Sequence, residues 1–381
     1  METVSLKTQP HKLTKKNHGK SIELNDVTVR YGSNTILDGL SLRIEAGEFF
    51  TLLGPSGCGK TTTLRLVAGL IQANSGNIFF DSNEVTDVPV HKRNISMVFQ
   101  NYGLMPHLSV LDNVAYGLKM KGINKSDRHK KAKQALEKVG LVGFEDRYPV
   151  ALSGGQQQRV GLARAVAVES GIMLLDEPLS NLDTSLRQQM CIELRELQQD
   201  LQITILYVTH DRSEALSMSS RVGVMWEGKI LDLNDPETLY TSPNHLMSAR
   251  LLGDINELKL VAATERELES VVGNQRFVIR AESDDLVKGQ QYTAGVRPEN
   301  IHIKPVGQKE DPEKVILETK MLDVEYQGSM YNLTVFSPEF RSNIKIRLPE
   351  FQKPTDGFPS KGELVDLVWD KKDTHIFAST N

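Results

Sequence analysis

Apolar and polar residues alternate along residues 22–30 (IELNDVTVR), and Tyr31-Gly32 closes the run, a pattern that predicts a strand. Residues 48–53 predict a second strand, which leads directly into the string GPSGCGKT at 54–61 and then a helical pattern from Lys60 to about Leu70. Short strands are predicted at 77–80 and 95–99. From about 100 to 152 the spacing turns helical: Ala132, Ala135, Leu136 and Val139 share a face, and Gly140 stands where a helix C-terminal glycine belongs. The string LSGGQ at 152–156 precedes a helix to about Ser170, followed by a buried strand at 172–175. A helix from Asp183 turns Leu186, Met190, Leu194 and Leu197 inward, and strands at 203–208 and 222–225 are the last expected in this half. Strands alternating with helices predict an α/β fold with a mostly parallel sheet covered on both faces.

Near residue 250 the texture changes. Short alternating segments follow (RFVIRAE, NIHIKP, VILETKMLDVEY, NLTVFS, NIKIRL, LVDLVW), separated by Gly, Asn, Asp and Pro, and they predict a small all-β, OB-like barrel over 251–381. The chain's 381 residues allow two or three domains at roughly 150 residues each. We therefore expect an α/β domain over 21–250, with a helical subdomain at about 101–165, and the β-rich domain after it.

Composition narrows the function classes. A 39% hydrophobic and 25% charged chain is an ordinary soluble globular one, and no apolar run approaches the roughly 20 residues that span a bilayer. Residues 1–20 are polar with five lysines and no apolar core, so we expect a disordered basic tail and no secretory leader. A net charge of −4 argues against a dedicated nucleic-acid binder. Cys58 and Cys191 are too few for a disulfide framework or a zinc site, which fits a reducing, cytoplasmic setting.

Three strings carry the chemistry. In GPSGCGKT, whose loop is Gly54, Pro55, Ser56, Gly57, Cys58 and Gly59, the three glycines let backbone N–H groups close on phosphate oxygens, and the following helix points its positive end at the same anion. Lys60 then reaches the β- and γ-phosphates of a nucleotide, Thr61 offers its hydroxyl to Mg²⁺, and Thr62 continues the cradle. At 172–177 (IMLLDE) four apolar residues end in two carboxylates, costly at a strand end unless they serve a cation or a reaction. Asp176 would hold the Mg²⁺ shell and Glu177 would polarise the attacking water. In LSGGQ, Ser153, Gly154, Gly155 and Gln156 have no catalytic side chain but open a helix, either as a plain cap or as a second anion site. Because the first loop already completes one phosphate site, the second is assigned to the γ-phosphate bound by a partner subunit.

Together these strings resemble the ATP-binding subunit of an ABC transporter over about residues 21–250. The resemblance implies that Tyr31 stacks on adenine, that Gln100 in VFQ senses Mg²⁺ and the transmembrane partner, and that Asp183 in SNLD links two ATP sites, besides being placed to cap its helix. It implies that His210 in VTHD contacts the γ-phosphate. The chain departs from the commoner pattern at Gly103, Asn181 and Arg212, and Gly161 replaces a helical alanine, which could cost about 1 kcal/mol. None of these removes a catalytic group.

A separate ATPase chain with a β-rich extension containing GVRPENI at 295–301 is similar to bacterial importer ATPases. That likeness implies a homodimer at the cytoplasmic face of the inner membrane. Its partners would be two integral-membrane permease subunits, docked near residues 100–116, and a periplasmic or surface solute-binding protein, with no nucleic acid. LLGDINEL points to the polyamine, iron and phosphonate branch rather than the sugar branch, with spermidine/putrescine favoured. Soluble ABC ATPases acting on DNA or ribosomes need a coiled-coil insertion, a zinc module or a second ATPase domain, none of which is expected here, and a P-loop kinase or GTPase would not need LSGGQ. The β-rich domain suits a regulatory or dimer-spacing role.

Overall fold

The computed structural model describes residues 19–270, the backbone of 278–280, and residues 286–308, 311, 313–354 and 357–378. The expected basic tail lies outside the described residues up to position 18, as do the flanks of the expected RFVIRAE strand at 276–277 and 281–282. Contacts divide the chain into two units after Pro236.

The first unit opens with strands β1 (Ile22–Tyr31), β2 (Asn34–Ile44) and β3 (Phe49–Leu53), helix α1 (Lys60–Ala68), and strands β4 (Ser75–Phe80), β5 (Asn83–Glu84) and β6 (Ser96–Val98). Helices α2 (Val110–Met120), α3 (Lys125–Lys138) and α4 (Gly154–Ala167) follow, then β7 (Ile172–Asp176), α5 (Thr184–Leu201), β8 (Thr204–Thr209), α6 (Arg212–Met218), β9 (Arg221–Trp226) and β10 (Lys229–Asn234). A six-stranded sheet has the order β10-β9-β3-β8-β7-β6. It is parallel except for the β9–β10 hairpin.

Every residue of β3 and β7 is buried, as expected where helices cover both faces of a parallel sheet. Alternate residues serve different cores. Phe49, Met173, Leu175, Ile205 and Tyr207 pack with α2–α5, whereas Phe50, Leu52, Leu174, Leu206 and Val208 pack with α1 and the strands from the N-terminal region. Helix α3 buries Ala132, Ala135 and Leu136, and Gly140 donates to the Glu137 carbonyl at its end.

Two expectations for this half need correction. The strands at 22–30 and 77–80 do not join the parallel sheet; they form a separate antiparallel sheet of order β2-β1-β4-β5. The reason is β2, unforeseen because register shifts between β1 and β2 break its alternation. Only two residues separate β1 from β2, too few for the crossover a parallel pair needs. Nor are residues 222–225 the last strand, since Glu227-Gly228 turns the chain back into β10.

The second unit carries helices α7 (Pro236–Thr241) and α8 (Leu246–Leu252) and strands β11 (Asn256–Ala262), β12 (Glu267–Ser270), β13 (Val278–Arg280), β14 (Gln291–Val296), β15 (His302–Lys304), β16 (Lys314–Tyr326), β17 (Met330–Ser337), β18 (Ser342–Pro349), β19 (Leu364–Asp370) and β20 (Thr374–Ala378). They pair as two five-stranded antiparallel sheets, β13-β12-β11-β14-β20 and β15-β19-β16-β17-β18. Both sheets feed one core that includes Leu258, Leu260, Val296, Leu317, Leu333, Ile346 and Trp369.

The division falls before the expected break at residue 250 because of Arg297, in GVRPENI. Its buried guanidinium donates to the carbonyls of Ala249 (2.9 Å), Asp254 (3.1 Å) and Tyr240 (3.2 Å) and stacks 4.2 Å over the Tyr240 ring. These contacts bind α7 and α8 to the β-rich unit. Among the described residues no helix is long and apolar enough to cross a membrane.

Candidate functional site

The parallel registers decide where the chemistry gathers. Leu53 pairs with Thr209 and Val224, and Asp176 pairs with Val208, so the residues following β3, β7 and β8 all emerge at one edge of the sheet, the C-terminal edge. That edge presents the 54–61 loop, the Asp176-Glu177 pair and His210.

The loop is shaped by glycine. Gly57 and Gly59 adopt φ of 83° and 109°, the left-handed region that a side chain resists, and a Cβ at Gly54 would stand 2.3 Å from the Met225 carbonyl oxygen. Gly59 has no side chain with which to cap α1, so the positive end of the helix is left open toward the loop. Ser56 and Gly57 are exposed at its crown, while Pro55, Thr61 and Thr62 are half-buried. Lys60 is buried, and its ammonium donates to the carbonyls of Gly54 (2.9 Å) and Pro55 (2.8 Å). The Cys58 side chain belongs to the apolar core, where burial pushes its thiol up, and the sulfur lies 4.0 Å from the Lys60 ammonium.

The Thr61 hydroxyl donates to Asp176 at 3.0 Å. Burial holds the Asp176 carboxyl above its usual range, against the opposing pull of the Thr61 hydrogen bond and of Arg65. A buried carboxylate with a hydroxyl alongside is a donor set suited to a hard divalent cation. Glu177 sits in the left-handed region at φ 45°, pinned by its N–H to the Val208 carbonyl (3.0 Å). A non-glycine residue there carries strain that neighbouring contacts must hold, a common mark of functional positions. Its carboxylate lies 3.1 Å from Nδ1 of His210. The Ser180 hydroxyl donates to the Glu177 carbonyl (3.0 Å), Gln100 Nε2 donates to the same hydroxyl (3.4 Å), and Asn181 donates to the Gln100 carbonyl (3.4 Å). Lys60, Thr61, Asp176, Glu177, His210 and Gln100 thus come together at one sheet edge.

Other candidates are held elsewhere. Tyr31 stands exposed where β1 turns into β2. Ser153 and Gln156 form a reciprocal capping box, Gln156 N–H donating to the Ser153 hydroxyl (3.4 Å) and Ser153 N–H to the Gln156 side chain (3.0 Å). A Cβ at Gly154 would meet open space, whereas one at Gly155 would strike Leu186 at 2.7 Å. Asp183 caps α5, accepting the Leu186 N–H at 3.0 Å. The LSGGQ turn and the Asp183 turn therefore share Leu186, and their hydrogen bonds are internal to their own helices.

Sequence reasoning passed over two side chains that shape the segment after Gln100. Asn113 is buried on α2 and accepts from Met105 N–H (2.8 Å) while donating to the carbonyls of Met105, Leu108 and Ser109 (3.0 Å each). Arg164, on α4, donates to the carbonyls of Tyr102 (2.5 Å) and Gly103 (2.6 Å). An amide interrupting the apolar face of VLDNVAYGL was the available signal for Asn113. Nothing comparable marked Arg164. Gly103 itself has φ 56°, which explains a glycine there.

Comparison with known proteins finds relatives for both halves of the chain. A family model described as ABC transporter matches residues 37–180, and one described as TOBE domain matches residues 294–377. The Fe(3+) ions import ATP-binding protein FbpC of Photorhabdus laumondii is 46% identical over 82% of this chain and 86% of its own length. The spermidine/putrescine import ATP-binding protein PotA of Aggregatibacter actinomycetemcomitans is 42% identical over 91% of this chain and 94% of its own. Among solved structures, the dimeric post-hydrolysis state of the ATP-binding cassette MJ0796 bound to ADP and Pi is similar with a TM-score of 0.51 and 30% identity, covering 56% of this chain and 98% of that one. The chain cbiO1 of Clostridium perfringens, part of the transporter complex cbiONQ, gives a TM-score of 0.55 and 28% identity over 58% of this chain and 90% of that one. The preference for spermidine/putrescine is not confirmed, since relatives named for ferric iron import and for spermidine/putrescine import both match.

Proposed function

The chain belongs to the ABC transporter family, as an importer ATPase with a C-terminal TOBE domain, and on that premise we propose that two copies enclose two ATP molecules. Each ATP would lie between Lys60 and Thr61 of one chain and Ser153 to Gly155 of the other. The observation that carries this reading is the sheet edge where the Glu177–His210 contact stands one residue from the Thr61–Asp176 pair.

Lys60 exchanges the carbonyls of Gly54 and Pro55 for β- and γ-phosphate oxygens, and the loop's N–H groups close on the rest. Thr61, Asp176 and Gln100 are the residues that would hold Mg²⁺, which when bound offsets phosphate charge. Glu177 accepts a proton from the attacking water, and His210 steadies that carboxylate while facing the γ-phosphate. Tyr31, exposed on its hairpin, stacks on adenine. Gly154, open on its outer side, lets the start of α4 approach the partner's γ-phosphate, and Asp183 extends from the adjoining turn toward the other site. ATP favours the closed dimer because only that state makes the second set of phosphate contacts.

Two integral-membrane permease subunits dock on residues 100–116, whose backbone Asn113 and Arg164 brace, with a solute-binding protein on the far side of the membrane. The chain is then peripheral, at the cytoplasmic face. The cargo is a small cation. The coverage of the PotA relative supports a polyamine, and the identity of the FbpC relative supports ferric iron. Uptake of labelled spermidine and of labelled ferric iron separates them: one should depend on an intact Glu177, and dependence of neither would refute both cargoes. For the site, Glu177→Gln should bind ATP, lose hydrolysis by orders of magnitude and accumulate as a dimer. Unchanged turnover would remove Glu177 from the chemistry.

A further inference from the structure

Resting on the reading of Glu177 and His210 given above, we propose that Arg187 is a positioning residue that locks the His210 turn to the Asp183 turn of the same chain, so that the two move as one body when the dimer closes. The guanidinium lies between them. Its Nη2 donates to the carbonyl of Leu182, the residue before Asp183, at 2.9 Å, and its Nη1 donates to Asp211, the residue after His210, at 2.9 Å. Its Nε faces Glu214 at 3.7 Å.

The histidine's flanks are then fixed from both sides. Asp211 accepts the N–H groups of Ser213 (2.7 Å) and Glu214 (3.3 Å) and so caps α6, while its own N–H donates to the Thr209 hydroxyl (2.9 Å). That hydroxyl donates to the buried Glu214 carboxylate at 2.6 Å, as does the Tyr207 phenol at 2.7 Å. Glu214 and Asp211 form an acidic pair whose compensating charge is Arg187, and the guanidinium's fork is what allows it to hold a carboxylate and a carbonyl at once. The His210 side chain is more than half exposed and, among the described residues, its hydrogen bond is to Glu177, so its position follows from the backbone on either side of it. A shift of Leu182 therefore pulls through Arg187 on Asp211 and reaches the group that holds the catalytic carboxylate.

The test is a kinetic double-mutant cycle on the full-length protein. Arg187→Met should lower the kcat of ATP hydrolysis between about tenfold and 10²-fold, with KM for ATP unchanged within about twofold. In a His210→Ala background it should have little further effect, within about twofold, because its action runs through the histidine. Asp211→Asn breaks the same link from its other end while leaving the cap oxygen, and carries the same expectation should the methionine variant fail to fold. If both links can be broken with kcat retained, or if the losses multiply in full with that of His210→Ala, Arg187 is a structural residue only and the proposal falls. If instead His210→Ala and Glu177→Gln keep wild-type turnover, it is the reading of the site that fails.

Discussion

Gly161 and Gly103 offer a sharp test of the packing between α4 and the segment after Gln100. Gly161 lies buried within α4, and a Cβ built there would meet Tyr102 Cβ at 3.6 Å and Val98 Cγ1 at 3.7 Å, ordinary van der Waals contact. Alanine at a helix interior is favoured over glycine by about 1 kcal/mol, and burying its methyl adds up to about 0.8 kcal/mol. Gly161→Ala should therefore stabilise the ATP-binding unit by about 1–2 kcal/mol, a rise of roughly 2–8 °C in Tm for a unit of this size. Gly103 also has room, its nearest neighbours being Arg164 at 3.5 Å and Phe99 at 3.7 Å, but its φ of 56° is left-handed. Gly103→Ala should cost about 1–2 kcal/mol on that account alone. Scanning calorimetry on the full chain measures both, the relevant transition being the one that moves up when ATP is added. A fall in Tm for Gly161→Ala would mean that Tyr102 and Val98 stand closer to α4 than described, and a rise for Gly103→Ala would refute the left-handed turn.

Other outcomes follow from the same geometry. Lys60→Ala should lose most nucleotide affinity in a titration with a fluorescent ATP analogue, and affinity within about twofold of wild type would contradict its place in the cradle. Ser153→Arg should bind nucleotide normally as a monomer yet fail to hydrolyse it; equal loss of both would deny that Ser153 acts on a partner's ATP. Burial raises the Asp176 pKa in the folded state, so folding favours the protonated form, and stability is lost as pH rises from the ordinary aspartate range through the raised value. Asp176→Asn removes that penalty. It should melt above wild type at pH 8, with the advantage shrinking toward about pH 4, while hydrolysis is lost; a variant less stable at pH 8 would show that Asp176 is not penalised by burial.

The residues at the ends of the strands are easier to read from the sequence than the pairing of the strands. Sheet-edge residues declare themselves because an apolar run ending in carboxylates, or a strand running into glycines, is hard to explain otherwise, and Lys60, Asp176, Glu177 and His210 all fall at such ends. Strand partners are less visible. Nothing local in residues 22–30 says that β1 pairs with β2 and β4 rather than entering the parallel sheet, because that choice is made by a two-residue turn and a register shift. The break near residue 250 was read from composition, whereas the grouping of α7 and α8 depends on one buried arginine reaching back to Tyr240 and Ala249. Ser153 illustrates a different limit. Its hydroxyl completes a capping box in its own chain, and a role toward another chain's phosphate is compatible with that cap without being visible in it.

The central claim, that each ATP is shared between two copies, is tested most directly by mixing two inactive variants. Lys60→Ala and Ser153→Arg homodimers each have no intact composite site, but a mixed dimer combines the intact Lys60 of one chain with the intact Ser153 of the other. Sharing between chains requires hydrolysis to return when the two purified variants are combined. Hydrolysis that stays at the level of either variant alone, with mixed dimers demonstrated by mass, would contradict it.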